Sequence, residues 1–204
     1  MPRLFIIAGC NGSGKTTASY ALLPGMLGCS EYVNSDEFAK SLSPFKPEAA
    51  YVAASRYMLM KMRYLLGKKA DFCIETTLAT RFLLKFIQEA KQEGYYVTIL
   101  YFWINSPDLA VARVKARVAA GGHNIKEDTI RRRYSVGLHY LFRDFMPICD
   151  RWLLMDNTEP PFTIVAEASS DGTIIHDPEK FSKIQAVNEE FEKFLAAEKK
   201  KNKI

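Results

Sequence analysis

The chain has 204 residues, of which 48% are hydrophobic and 25% charged, and its 28 lysines and arginines against 23 aspartates and glutamates leave a formal net charge of +5. This composition suits one globular domain with an ample core and excludes a weakly hydrophobic, disordered chain; no apolar run approaches the ~20 residues of a membrane-spanning helix. The positive balance names no partner by itself, because four of the lysines crowd the terminal "EKKKNKI", where a solvated tail is favoured over a nucleic-acid arm.

Taken in chain order, "RLFIIAG" is a continuous apolar run closed by glycine, the pattern of a strand buried on both faces. After a glycine-rich stretch, "KTTASYALL" predicts a helix stopped near Pro24-Gly25. "EYVNSD" predicts a second short strand, "SLSPFKPE" a proline-bearing loop, and Pro47 opens a long helix running to about Gly67. "DFCIETT" is a third strand, and "RFLLKFIQEAKQEG" a helix ended by Gly94. "YYVTILYFWI", apolar throughout, is expected at the centre of the sheet. Ser106 then caps a helix with Pro107 in its first position. "GGHN" interrupts, and another helix runs from about Lys126 to Phe142, with Ile130, Tyr134, Gly137 and Leu141 on one face. "DRWLLMD" is a fifth strand, "FTIVAEASSDGTIIHD" a hairpin turning at Asp171-Gly172, and the last helix repeats Ile184, Val187, Phe191 and Phe194.

Strands alternating with helices predict an α/β fold. The expected architecture is a mostly parallel sheet of five strands with helices on both faces, and a C-terminal hairpin and helix over about 161–198. Residues 1–204 are expected to form a single domain, with a lid over about 117–133. Cys10, Cys29, Cys73 and Cys149 have neither C-x-x-C spacing nor histidines placed to complete a zinc set. Free thiols in a reducing compartment are therefore expected. "MPRLFIIAGC" has no signal-peptide features, so a cytoplasmic location without membrane attachment is expected.

The nucleotide signal is the strongest in the chain. Gly9-Cys10-Asn11-Gly12-Ser13-Gly14-Lys15-Thr16 matches G-x-x-x-x-G-K-[ST] in full and lies between a predicted strand and a predicted helix. Converging backbone N–H groups and the positive end of the helix suit ATP phosphates, with Thr17 continuing the site. Lys15 is expected on the β- and γ-phosphates and the Thr16 hydroxyl on Mg²⁺. Cys10, beside a lysine and a helix N-terminus, is expected to be a reactive, nucleotide-protected thiol. The chain lacks an N-K-x-D guanine reader and an L-S-G-G-Q transporter signature, which leaves the small-molecule kinases.

Asp36 in "VNSDEFA" is a candidate general base and acceptor contact at the second strand's end; the alternative is a helix cap, a role Ser35 could share. Glu75 in "CIETTL" is placed to order metal-bound water or hold the acceptor, aided by Thr76 and Thr77; here too a cap, by Thr77, is the alternative. Arg113, Arg117 and Arg131–Arg133 cluster around the Gly121-Gly122 joint of a lid. Arg117 and Arg133 are the two expected to point inward at the transferring group, while surface pairs such as Glu127–Arg131 account for other members. His123 either touches phosphate or pins the lid, and Asp156 and Asn157 are candidates for the adenine edge.

"IIAGCNGSGKTT", "VNSDEFA", "LSPFKPEAA", "IETTLAT", "RVAAGGHNIKEDTIRRRY" and "DRWLLMDNT" together resemble the zeta-toxin-like P-loop kinases, in particular a shorter branch described as predicted ABC-type ATPases. The resemblance covers about Arg3 to Asn157 and, with the phosphate-loop motif, implies an α/β P-loop NTPase fold of the kinase type, its five parallel strands in the order 2-3-1-4-5. It implies ATP-dependent phosphorylation of UDP-N-acetylglucosamine at its 3′-hydroxyl, with the family's roles falling on Lys15, Asp36, Glu75 and Arg117. It also implies an antitoxin-like protein partner. The toxins carry an arginine inside the lid where this chain has Gly122-His123, so either Arg131–Arg133 replace it or the activity differs. The leading expectation is a kinase using ATP and Mg²⁺ on a small hydroxylated acceptor such as a sugar nucleotide, with nucleic acid not expected as a partner. The rivals are an RNA or nucleoside 5′-hydroxyl kinase and a non-catalytic ATP-binding switch.

Overall fold

The computed structural model describes residues 1–23, 25, 27–122 and 124–201. Within them lie β1 (Arg3–Ala8), α1 (Lys15–Leu22), β2 (Glu31–Val33), α2 (Ser35–Leu42), α3 (Tyr51–Gly67), β3 (Phe72–Thr76), α4 (Phe82–Gln92) and β4 (Tyr96–Trp103). They are followed by α5 (Pro107–Ala119), α6 (Glu127–Tyr140), β5 (Arg151–Asp156), β6 (Thr163–Ser169), β7 (Gly172–Ile175) and α7 (Pro178–Lys201). The strands form one sheet in the order β2-β3-β1-β4-β5-β6-β7. The first five are parallel in the expected order 2-3-1-4-5. The hairpin, expected as an addition, joins the same sheet by antiparallel pairing of β6 to β5 and β7 to β6, which makes seven strands.

The apolar runs are continuous because both faces of the sheet are covered. Leu4, Ile6 and Ala8 of β1 enter one core with Ile74, Ile99 and Leu154, roofed by Met62 and Leu65 of α3, Leu83 and Ile87 of α4, and Ile184 of α7. Phe5 and Ile7 enter the other with Cys73, Leu100 and Phe102, roofed by Ala18 and Leu22 of α1. Each such Leu, Ile or Phe contributes ~1.5–3 kcal/mol when fully buried. A third cluster joins Val111 and Val114 of α5 to Ile130 and Tyr134 of α6, and the pairs Lys115–Glu127 and Asp108–Arg131 set the two helices antiparallel.

Several boundaries differ from those expected. β2 stops at Val33, and Asn34 becomes the N-cap of α2, its side chain accepting from the Asp36 and Glu37 amides; a local side-chain bond outcompetes a longer strand here. The long helix opens with a 3₁₀ turn, Pro47–Ala50, before α3. The helix after the lid tightens into α6 and then widens into a π turn at Leu141–Phe145. The hairpin turns one residue early, Ser169 pairing with Gly172. No helix among the described residues is long and apolar enough to cross a membrane.

Gly137 fixes where α6 lies. A Cβ there would stand 2.5 Å from the Thr77 carbonyl oxygen, a backbone atom that cannot swing away. Gly137→Ala gains up to ~1 kcal/mol of helix propensity but overpacks the contact by about 1–3 kcal/mol. Net destabilisation is expected in a urea titration; an unchanged or raised midpoint would show that α6 does not depend on this approach.

Candidate functional site

The glycine loop leaves β1 at the sheet's carboxyl edge and passes into α1 through Gly14, whose φ of 86° suits a residue without Cβ. Gly12 has a φ of 83°, and a Cβ on it would stand 2.6 Å from the Ala110 carbonyl oxygen. No side chain caps α1, and its first turn carries no acid. By contrast, α2 is capped by Asn34 and α5 by Ser106. The first N–H groups of α1 are thus left for an anion from outside the chain. Lys15 is buried, its Nζ donating to the Cys10 carbonyl at 2.8 Å. Its other two N–H bonds stay available to phosphate oxygens.

Of the expected nucleotide residues, Asn11, Gly12, Gly14, Lys15, Thr16 and Thr17 line a cleft of about 670 Å³. Gly9, Cys10 and Ser13 lie buried behind it. Glu75, Thr76, Thr77 and Asp36 line the same cleft. Glu75 reaches it because β3 neighbours β1, with Ile7 opposite Glu75. Its Oε1 accepts from Thr16 Oγ1 at 3.0 Å and its Oε2 from the Tyr32 hydroxyl. Thr76 Oγ1 accepts from the Leu78 amide. Thr77 caps nothing, since α4 begins after Arg81. Asp36 is no cap either, and neither is Ser35, because Asn34 fills that role. Among the described residues no hydrogen bond holds the Asp36 carboxylate.

The arginines divide by orientation. Arg133 is half-buried and donates to Asn11 Oδ1 at 3.0 Å. Burial lowers its guanidinium pKa while the neighbouring Asp36 opposes that shift. Arg117 lines the cleft beside it. Arg113, on the same face of α5, clasps the carbonyls of Gly12 (3.4 Å), Asn157 (2.9 Å) and Thr158 (2.7 Å). Arg131 turns outward to Glu127 and Asp108, and Arg132 is exposed. His123 lies outside the described residues. Gly121-Gly122, expected to be a flexible joint, instead terminates α5: Gly121 N–H donates to Val118 O and Gly122 N–H to Arg117 O, both at 2.9 Å, with Gly121 at a φ of 86°.

The adenine-edge candidates serve the scaffold. Asn157 Nδ2 donates to the Ser13 carbonyl at 2.8 Å. Asp156 accepts from Thr158 and pairs with Lys180 of α7 at 3.0 Å; burial raises its pKa, but these donors outweigh that and leave it below the ordinary carboxylate value. Tyr32 and Asn34 are site residues that motif reading passes over. Their signal was an asparagine two residues before Asp36, at the point where strand period gives way to helix period.

A second cavity of about 1070 Å³ opens between the α2–α3 connection and the start of α3, with Phe45 and Tyr51, and the α5–α6 connection, with Asn124 and Lys126. Ser35, Asp36, Ser55, Arg117 and Arg133 line both spaces.

The family model described as Zeta toxin matches residues 1–139. An uncharacterized protein of Haemophilus influenzae is 32% identical over 126 residues, which is 62% of this chain and 88% of that protein. The AvrRxo1-ORF1:AvrRxo1-ORF2 complex with sulphate ions has a TM-score of 0.71 at 18% identity, covering 90% of this chain; this chain spans 63% of that one. The same complex with ATP gives 0.67 at 18% identity with the same coverage. A chain of the PezAT chromosomal toxin–antitoxin system of Streptococcus pneumoniae gives 0.65 at 17% identity, covering 96% of this chain and 88% of that one. At these identities the solved structures establish a shared fold, that of P-loop kinases.

Cys10 departs from its expected reactivity. Burial pushes its thiol up to about 11, outweighing the nearby Lys15 and Arg113 charges. Burial likewise raises Cys29, Cys73 and Cys149. At neutral pH the native chain is therefore expected to alkylate Cys10 about 100-fold more slowly than the denatured chain, with the rate climbing as pH rises toward 11. Peptide mapping after iodoacetamide treatment measures this, and rapid native labelling of Cys10 at pH 7 would contradict it.

Proposed function

Since the chain belongs to the zeta toxin family, we propose that it is an ATP- and Mg²⁺-dependent phosphotransferase acting on a hydroxyl of a small acceptor. The observation that carries this reading is the meeting of two cavities at Asp36, Arg117 and Arg133. One cavity is lined by the phosphate loop; the other is lined by none of its residues, and suits a second substrate. A group transferred between them passes those three side chains.

The cleft wall presents Lys15, Arg113, Arg117 and Arg133 against Asp36 and Glu75, a cationic excess that suits a triphosphate. In this reading Lys15 and the α1 amides bind the β- and γ-phosphates. Asp36 accepts the acceptor's hydroxyl proton as its oxygen attacks the γ-phosphorus, and the bond to the bridging oxygen of the leaving ADP breaks. Arg117 and Arg133 stabilise charge on the phosphoryl group in flight. Thr16 and Glu75 fit a Mg²⁺ site, where the ion would neutralise charge on the β- and γ-phosphate oxygens. Glu75, Thr76 and Thr77 are the acceptor-side contacts. The whole chain serves as one catalytic domain with its lid at about 117–133, working in the cytoplasm. Family membership makes a UDP-N-acetyl sugar the first acceptor to try, and the toxin–antitoxin setting of the pneumococcal relative supports an antitoxin-like partner.

Radiolabelled γ-phosphate transfer from ATP into a metabolite extract, with the product identified by mass spectrometry, tests the activity. Lys15→Ala is expected to abolish tight ATP binding. Asp36→Asn leaves the Asn34 cap intact, so near-parental ATP affinity and melting temperature are expected, with transfer reduced ~10²–10⁴-fold. Parental transfer by Asp36→Asn would end the base assignment; ATP binding without transfer by the parental chain would favour a switch.

A further inference from the structure

One hydrogen-bonded chain crosses the site from the phosphate loop to the start of α2. Thr16 Oγ1 donates to Glu75 Oε1 at 3.0 Å, and the Tyr32 hydroxyl donates to Glu75 Oε2. Asn34 Nδ2 donates to the Tyr32 oxygen at 3.0 Å, and Asn34 Oδ1 accepts from the Asp36 amide at 2.8 Å and the Glu37 amide at 3.4 Å. The sense of each bond is forced by its neighbour. The Asn34 carbonyl oxygen is taken by two helix amides, which turns its NH₂ toward Tyr32. With its oxygen accepting from Asn34, Tyr32 has its single proton for Glu75. Glu75 then has one oxygen left to take the Thr16 proton, and that leaves the Thr16 lone pairs, not its proton, directed away from Glu75.

The backbone explains why Tyr32 can do this. It pairs with Cys73, two residues before Glu75 on β3, so Tyr32 and Glu75 project from the same face of the sheet. That face is the one α1 covers.

We propose that Tyr32 is a positioning residue: by pinning Glu75 it sets the Thr16 hydroxyl as a metal ligand, and through Asn34 it ties that setting to the helix start that carries Asp36. The inference rests on the nucleotide side of the kinase reading. Tyr32 touches neither nucleotide nor acceptor; it acts through Glu75 and Asn34. A packing role alone would be kept by phenylalanine, which fills the same space.

The test measures ATP affinity by calorimetry with excess Mg²⁺ and with EDTA, for the parental chain, Tyr32→Phe and Asn34→Ser. Serine can still cap α2 but is too short to reach Tyr32. In the parental chain Mg²⁺ is expected to tighten ATP binding. In Tyr32→Phe the metal-dependent gain is expected to shrink ~10–100-fold, as for other residues that orient a metal ligand, while affinity in EDTA holds. Asn34→Ser is expected to move the same way by less, and Tyr32→Phe added to Glu75→Gln to cost little beyond Glu75→Gln alone. An undiminished Mg²⁺ gain in Tyr32→Phe would overturn the proposal, as would a parental chain indifferent to Mg²⁺. Failure of the kinase reading would show elsewhere, as a normal Mg²⁺ gain with no acceptor phosphorylated.

Discussion

The phosphate loop holds its shape because it is gripped from behind. Its glycines supply permissive backbone, and permissive backbone does not choose one conformation. The choice is made by Asn157, which donates to the Ser13 carbonyl, and by Arg113, whose guanidinium spans the carbonyls of Gly12, Asn157 and Thr158. With the Ser13 carbonyl held by Asn157, the Gly14 amide of that trans peptide unit points the opposite way, while the Ser13 amide closes the turn on the Cys10 carbonyl. The grip depends on strand order: β4, which leads into α5 and Arg113, lies next to β1, and β5, which ends at Asp156 just before Asn157, lies next to β4. Lys180 of α7 steadies the same corner by pairing with Asp156, so the C-terminal helix contributes to a site it does not reach.

This division explains the unequal fates of the basic residues in one stretch of sequence. Arg113 and Arg117 are four apart on α5, yet the first is committed to backbone carbonyls and the second borders both cavities. Arg131 and Arg133 are two apart on α6, and a helix places such neighbours on different faces. Arg131 meets Glu127 and Asp108 in solvent, where the pair adds little, while Arg133 reaches Asn11 in the loop. Charge density along the chain therefore overstates the charge available to a ligand.

Much of this was legible in the sequence. The parallel sheet followed from buried apolar runs alternating with helices, its order 2-3-1-4-5 from the likeness to kinase-type P-loop proteins, and the phosphate loop from a motif with its flanking elements. The placing of Arg133 inward followed from its nearness to the Ile130–Tyr134 stripe. What escaped reading depends on contacts across the fold. Asn34, rather than Asp36 or Ser35, caps α2 because β2 ends early, and strand ends are set by pairing with β3. Cys10 sits by two cations, but burial decides its chemistry, and burial is a property of the packed molecule. Gly121-Gly122 looks like a joint in one dimension; its φ and two amide bonds make it a helix terminator. Tyr32 belongs to no motif, and its partner lies 43 residues away.

The two carboxylates of the cleft are held in opposite ways, and the difference bears on their chemistry. A base must offer a lone pair that no resident donor occupies, or it must first break a bond to act. A carboxylate that orients a metal ligand gains by the reverse: both oxygens fixed, so that the hydroxyl it directs cannot wander. Glu75 meets the second description, with Thr16 on one oxygen and Tyr32 on the other. Asp36 meets the first, its amide fixed by Asn34 while its carboxylate takes no hydrogen bond among the described residues. Exchange of the two roles would require Glu75 to shed two donors and Asp36 to acquire them, against the strand register that seats Tyr32 opposite Cys73. The fold thus holds the two acids differently before any substrate arrives, and it does so through their neighbours rather than through their own identity.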